Sequence, residues 1–267
     1  MSGALAGKKA IVTGAGRGIG AAIALAFARE GADVALAARS QAELEAMSAK
    51  LAALGRKGLV VPTDMADQGQ VKRLVERSIA ELGAVDIVVS NAAHSGGFAP
   101  LHEVSFPSWR EVQSVNLEGP LTLLQTVAPH LLARRTGSVI IISSIRGTNG
   151  VPLGGVYAAS KAALNSIART FACEWGPYGV RVNAICPGPV DTHMTRTALG
   201  DNKPLWDYYG QIAPIKRWTS AEDCAEPAVF LASEASRAIT GHLLIVDGGL
   251  SATLQDAFPP PASLLGG

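Results

Sequence analysis

Seven short apolar runs recur along the chain, at Ala10 to Thr13, Val34 to Ala38, Leu59 to Val61, Ile87 to Val89, Val139 to Ile142, Val180 to Ile185 and Leu243 to Val246. Between them lie longer stretches of helical period. Ile19 to Arg29, Gln41 to Leu54 and Gln70 to Leu82 carry the apolar spacing of amphipathic helices, and Gly31, Gly55 and Gly83 stop them. Runs such as SVIIISS are apolar on both faces, which suits a sheet covered on each side by crossover helices. This alternation predicts a doubly wound α/β fold with seven strands, mostly parallel.

The 267 residues, 48% hydrophobic and 17% charged, suffice for one large domain with a buried core. No repeat or linker interrupts the alternation, so residues 1 to 258 read as one domain. Two stretches depart from it. Thr192 to Arg217 is broken by Gly, Asn and Pro and reads as a substrate loop over about 190 to 218. The tail PPPASLLGG, residues 259 to 267, reads as loose.

A net charge of +1 from 23 basic and 22 acidic residues gives no long-range attraction for a polyanion, so no nucleic-acid partner is expected. Cys173, Cys186 and Cys224 are odd in number and lie far apart, which argues against a disulfide framework or a metal site and for a reducing compartment. The N-terminus runs through Lys8 and Lys9 into a strand, without an apolar segment long enough for a signal peptide or membrane span. A cytoplasmic protein without membrane contact is the expectation.

The run TGAGRGIG at Thr13 to Gly20 follows a strand and precedes a helix. In that setting it forms a phosphate cradle. Gly14, Gly18 and Gly20 allow a tight turn and close backbone approach, and the helix beginning near Ile19 directs its free N–H groups at a pyrophosphate. Tyr157 and Lys161 stand four residues apart in VYAASKAAL, thirteen residues after Ser144. Positions i and i+4 share a helical face, so the Lys161 ammonium is expected beside the Tyr157 phenol, lowering its pKa for acid–base work.

With these motifs in place, the chain resembles the classical short-chain dehydrogenase/reductase family from Lys8 to Ser251. The resemblance rests on TGAGRGIG, on Asn116 in SVNLEG, Ser144 in IISSIRG, Tyr157 and Lys161 in YAASK, and on the turn CPGPVDT at Cys186 to Thr192. It implies an oxidoreductase interconverting a secondary alcohol and a ketone with a nicotinamide cofactor. Tyr157 would move the proton, Lys161 would lower its pKa and bond the nicotinamide ribose, Ser144 would donate to the substrate oxygen, and Asn116 would hold a water linking Lys161 to solvent. The resemblance extends the cofactor contacts to Asp64, Met65, Asn91, Ala92, Pro187, Gly188, Val190 and Thr192. One departure stands out: the family's NNAG reads Ser90-Asn91-Ala92-Ala93 here, and the methyl of Ala93 is expected to shift the turn beside the cofactor.

Cofactor choice turns on the end of the second strand, where a carboxylate selects NAD and a cation accommodates the 2′-phosphate of NADP. Ala38 occupies the acidic position and Arg39 follows, with Arg17 as a second cation in the glycine loop. NADP(H) is therefore expected ahead of NAD(H). For Asp64 an adenine contact and a helix-capping role are both open. Substrate contacts are sought at His94, Arg146, Pro189 and His193, and Trp206, Tyr208 and Tyr209 serve either as a lid or as a subunit contact. His94 and Arg146 hint at an anionic or hydroxylated substrate, against the plainer alternatives that Arg146 salt-bridges locally and His94 points to solvent. The 3-oxoacyl-carrier-protein reductases and NAD-dependent sugar or polyol dehydrogenases are alternative activities on the same core, and an idle nucleotide-sensing module or a scaffold would be a different class. The small-residue helix from Gly155 to Trp175 and the helix after Ser220 imply, by resemblance, a homodimer or homotetramer.

Overall fold

The computed structural model describes residues 3 to 252, so the proposed tail at 259 to 267 lies outside the described residues. The strands are β1 (Lys9–Thr13), β2 (Asp33–Ala38), β3 (Gly58–Pro62), β4 (Ile87–Ser90), β5 (Gly137–Ile142), β6 (Val180–Pro187) and β7 (Leu243–Val246). They form one sheet in the order β3-β2-β1-β4-β5-β6-β7. Every pairing is parallel, which sharpens the expectation of a mostly parallel sheet. The helices are α1 (Gly18–Arg29), α2 (Gln41–Ala53), α3 (Gln68–Leu82), α4 (Phe106–Gln113), α5 (Gly119–Arg134), α6 (Gly155–Trp175), α7 (His193–Leu199), α8 (Lys203–Ile212) and α9 (Ala221–Ala232).

The apolar faces of the helices explain the layering. Phe27, Leu44 and Leu51 from α1 and α2 pack with Leu231 of α9 on one side of the sheet. On the other side, Leu74, Leu123, Leu124 and Leu164 from α3, α5 and α6 form a second core. Strand residues such as Val12 and Ile11 alternate between the two, which is why their runs are apolar throughout. The order in which strands are added to the sheet reverses between β1 and β4, and in a doubly wound sheet the crevice at the carboxyl ends of those strands is the ligand site.

The stretch expected as a substrate loop is largely helical, containing α7 and α8. Its Gly, Asn and Pro residues are punctuation rather than disorder. Thr192 caps α7 by accepting from Thr195 N, and Asn202 caps α8 by accepting from Leu205 N at 3.0 Å. Trp206 of α8 stacks on Trp218 at 4.1 Å, the Trp218 indole donates to the Trp206 carbonyl, and the Arg196 guanidinium lies 4.8 Å from the Trp206 ring. The aromatic residues thus brace the segment internally. None of the described helices is long and apolar enough to cross a membrane.

Candidate active site

The glycine loop joins β1 to α1 at the strand reversal. Gly14 and Gly18 have φ of 66° and 58°, in the left-handed region that glycine adopts without strain. Gly20 has no room for a side chain, because a Cβ there would stand 2.3 Å from the Gly14 carbonyl oxygen. Arg17, in the N-cap position of α1, makes no side-chain cap bond, and the first turn has no acidic residue. The first N–H groups of the helix and its positive end are left for an outside anion. A loop this tight, ending in an uncapped helix, fits a pyrophosphate. Ile19 instead turns its side chain to the core.

The neighbouring strand ends close around this loop. Asn91 donates from its side chain to the Thr13 carbonyl at 2.8 Å, and Asn91 N and Ala92 N both donate to the Thr13 hydroxyl. Asn91 therefore shapes the loop through hydrogen bonds inside the protein. Ala93 is not among the described residues with positive φ, so the turn needs no glycine there and accepts the methyl that was expected to disturb it. After β6, Gly188 N donates to the Val246 carbonyl at 2.9 Å, and a Cβ on Gly188 would lie 2.7 Å from that of Asp247. Pro187 ends β6, Pro189 is half-buried and Val190 is buried. Thr192 comes beside Gly18, its methyl 3.5 Å from where a Gly18 Cβ would be.

At the adenosine end, Asp64 Oδ1 accepts from Ala66 N at 2.9 Å in a local turn. Capping of α3 belongs to Asp67, which accepts from Gln70 N, so the capping alternative for Asp64 is corrected. The Met65 side chain is buried in the core. Arg39 is exposed beyond β2 and makes no ion pair among the described residues. Arg17 is loosely paired, at 3.5 Å, with Glu43 of α2.

Ser144, Tyr157 and Lys161 converge beyond the end of β5. Ser144 begins a tight turn whose Arg146 N donates to the Ser144 hydroxyl at 3.1 Å. Gly147 in that turn packs so closely on α6 that a Cβ would lie 2.7 Å from the Lys161 carbonyl carbon. This contact holds Ser144 against the Tyr157 side of α6. Lys161 is 2% exposed, and its Nζ donates to the Ile142 carbonyl at 2.8 Å. Burial pushes its pKa down to about 8.

Tyr157 is half-buried as a residue, but its hydroxyl lies deep enough that burial pushes its pKa up. The Arg146 charge and a hydrogen bond with Ser144 oppose that rise. This differs from the expected arrangement. The Lys161 ammonium sits 5.4 Å from the Tyr157 ring centroid and is held by a strand carbonyl, and the cation acting on the phenol oxygen is Arg146.

Asn116 lies in a π-helical turn, Ser114–Glu118, between α4 and α5. Its amide is fully engaged: Oδ1 accepts from His94 N at 2.7 Å, and Nδ2 donates to the His94 carbonyl at 2.9 Å and to the Ser160 hydroxyl at 3.1 Å. The side chain thus clasps the chain after β4. Ser160 in turn donates to the Tyr157 carbonyl at 2.7 Å, linking Asn116 to the Tyr157 turn of α6. Ser160 was not singled out in the sequence, where only its position within YAASK marked it. Ser143 was missed too; its hydroxyl donates to the Lys161 carbonyl at 3.2 Å.

Two predicted substrate residues are directed elsewhere. His94 Nδ1 accepts from Gly96 N at 3.0 Å, while Nε2 lies 3.6 Å from Glu111 of α4. His193 is exposed on α7, with its ring 3.3 Å from the Thr197 hydroxyl. Arg146 stays at the site, its guanidinium 5.8 Å from the Phe98 ring centroid. It makes no ion pair among the described residues, so the local salt bridge entertained for it is absent there.

Comparison with known proteins finds similarity along nearly the whole chain. Residues 14 to 251 match a family model described as enoyl-(acyl carrier protein) reductase. Gluconate 5-dehydrogenase of Gluconobacter oxydans is 34% identical over 250 residues, covering 94% of this chain and 97% of the relative. A 2,5-dichloro-2,5-cyclohexadiene-1,4-diol dehydrogenase of Sphingobium indicum is 36% identical, covering 93% and 98%. Among solved structures, a putative NAD(P)-dependent gluconate 5-dehydrogenase from Beutenbergia cavernae, with bound NADP, superposes with a TM-score of 0.87 at 38% identity, covering 93% of this chain and 98% of that one.

Proposed function

The chain belongs to the short-chain dehydrogenase/reductase family, oxidoreductases acting on alcohol and ketone substrates, and on that premise we propose an NADP(H)-dependent enzyme that reduces a small ketone through Asn116, Ser144, Tyr157 and Lys161. The observation that carries this reading is the meeting of Ser144, Tyr157 and buried Lys161 beside the carboxyl ends of the strands. When bound, the nicotinamide supplies the hydride.

The chain's residues handle the oxygen and its proton. Ser144 donates a hydrogen bond to the carbonyl oxygen where negative charge grows. Tyr157, whose buried phenol stays protonated at neutral pH, gives its proton to that oxygen. Lys161 holds a positive charge beside the Tyr157 ring, with donors beyond the one spent on Ile142 that would suit the ribose hydroxyls. Asn116 positions rather than reacts, fixing the chain after β4 against α6 through His94 and Ser160.

The preference for NADP(H) rests on Ala38 in the acidic position and on the unpaired Arg39, with Arg17 adding charge once it leaves Glu43. Glu43 favours the second reading, NAD(H), because its carboxylate beside the glycine loop opposes a 2′-phosphate. A substrate among small hydroxylated molecules is supported by relatives named for a sugar acid and for a cyclic diol. We also carry a homodimer or homotetramer as the assembly, since α6 presents Ala159 and Ala162 on an exposed face.

Turnover of NADPH and NADH against a panel of sugar-like, acyl-thioester and cyclic ketones tests the proposal, with Tyr157→Phe as the control. Loss of the proton donor is expected to lower kcat by roughly 10²- to 10⁴-fold. Near-normal turnover by that variant, or tighter binding of NADH than NADPH, would overturn the tetrad or the cofactor assignment respectively.

A further inference from the structure

The guanidinium of Arg146 makes neither an ion pair nor a hydrogen bond among the described residues and lies over the Phe98 ring. Among the described arginines whose guanidinium has neither an ion pair nor a hydrogen bond, Arg29, Arg39, Arg73, Arg110, Arg169 and Arg237 are exposed, and Arg146 alone is half-buried. A guanidinium held at a site without a counter-ion keeps its paired donors for an anionic ligand.

The surroundings hold Arg146 in place. Ala99 N donates to the Leu153 carbonyl at 3.0 Å, which brings Phe98 under the guanidinium plane at 5.8 Å. Leu153 takes a φ of 63°, a left-handed conformation that is strained for leucine, and so delivers Gly154 beside the arginine. A Cβ on Gly154 would come within 3.3 Å of Arg146 Nη1, so glycine keeps this side of the guanidinium clear. Two elements outside the turn are thus shaped around one unpaired cation. The same cation is close enough to Tyr157 to act on its hydroxyl.

We infer that Arg146 is a specificity residue that pairs with a carboxylate of the substrate, so that the preferred substrates are oxo acids and their hydroxy-acid products. A guanidinium takes a carboxylate through two parallel N–H···O bonds, which fixes the orientation of the molecule as well as its charge. Anchoring the acid at Arg146 leaves the ketone carbon to Ser144 and Tyr157, which lie on the same turn and on the facing helix. The inference rests on the proposed reductase activity for its chemistry, but not for its binding.

Two measurements separate the two claims. In the first, kcat and KM are compared for 4-oxocyclohexanecarboxylate and its neutral carboxamide in the native protein, Arg146→Gln and Arg146→Lys. The native enzyme should favour the acid by tenfold or more in kcat/KM. Arg146→Gln should lose that preference through KM, with any fall in kcat from the altered Tyr157 shared equally by acid and amide, and Arg146→Lys should recover part of it. In the second, calorimetry of the NADPH-loaded protein with cyclohexanecarboxylate and cyclohexanecarboxamide reads binding without turnover. Acid-selective binding that vanishes in Arg146→Gln supports the assignment even if no ketone is reduced, in which case only the reductase reading fails. Reduction of the neutral ketone without acid-selective binding, or an equal loss on acid and amide in Arg146→Gln, overturns the assignment and leaves the reductase reading intact.

Discussion

Replacing Lys161 by methionine should stabilise the cofactor-free protein at neutral pH while destroying its activity. The lysine is 2% exposed and faces a single backbone carbonyl, and its pKa falls from 10.5 to about 8 because burial disfavours the charged form. At 1.36 kcal/mol per pH unit, keeping the ammonium charged in the folded state costs about 3 kcal/mol at pH 7. Methionine fills a similar volume without charge but leaves the Ile142 carbonyl without this donor, a loss of about 1–2 kcal/mol. The variant should therefore gain about 1–2 kcal/mol, roughly 2–8 °C in Tm for a domain of this size.

The sign of the pH dependence makes this prediction specific. Between pH 8 and 10.5 the unfolded chain binds a proton at Lys161 that the folded chain has released, so the native protein becomes more stable relative to the variant as pH rises. The advantage of Lys161→Met should be full below about pH 7.5 and should close, then reverse, near pH 10. Urea unfolding of both proteins without cofactor at pH 7 and pH 10 reads this directly. A variant less stable at pH 7, or a difference that does not change with pH, would refute the reasoning.

Other perturbations address other parts of the molecule. Glu43→Gln removes the carboxylate paired with Arg17, and fluorescence titration should show NADPH binding about 2–5-fold tighter with NADH little changed; equal shifts for both cofactors would dissociate Glu43 from the 2′-phosphate. For Asp33, burial alone would raise the pKa, but bonds from Lys9, Lys57 N and Arg56 bring it down to about 2. Its stabilisation is present above about pH 4 and lost as pH falls through 2, so Asp33→Asn should cost roughly 2 kcal/mol at pH 7 and almost nothing near pH 2, as measured by urea unfolding. Gly188→Ala forces a methyl against Asp247 and should lower stability by about 1–3 kcal/mol, with a fall in kcat/KM from the shifted turn; unchanged unfolding and kinetics would show that β6 and the Asp247 turn yield freely.

Much of the scaffold was legible because its signals are local. Apolar runs on both faces placed all seven strands within a few residues of their observed ends, and the boundaries of α6 from Gly155 to Trp175 were read as they stand. The glycine loop needed only its position between strand and helix. The two helices within Thr192 to Arg217 were not legible because the breakers there are also caps: Asn202 and Gly200 separate two short helices, and the stacking of Trp206 on Trp218 that secures them joins residues twelve apart.

Sequence by itself determined the doubly wound class, the phosphate loop and the shared helical face of Tyr157 and Lys161, since each follows from periodicity or spacing along the backbone, while Asn116 and Ser144 were marked by the resemblance. Tertiary structure decided what those side chains meet. It turned Lys161 onto Ile142, spent the Asn116 amide on His94 and Ser160, and set Arg146, without an ion pair among the described residues, close enough to act on Tyr157. Coulombic interaction and the loss of hydration depend on distance and depth in the folded chain, and residues far apart in sequence reach those distances only when the turn after β5 packs on α6.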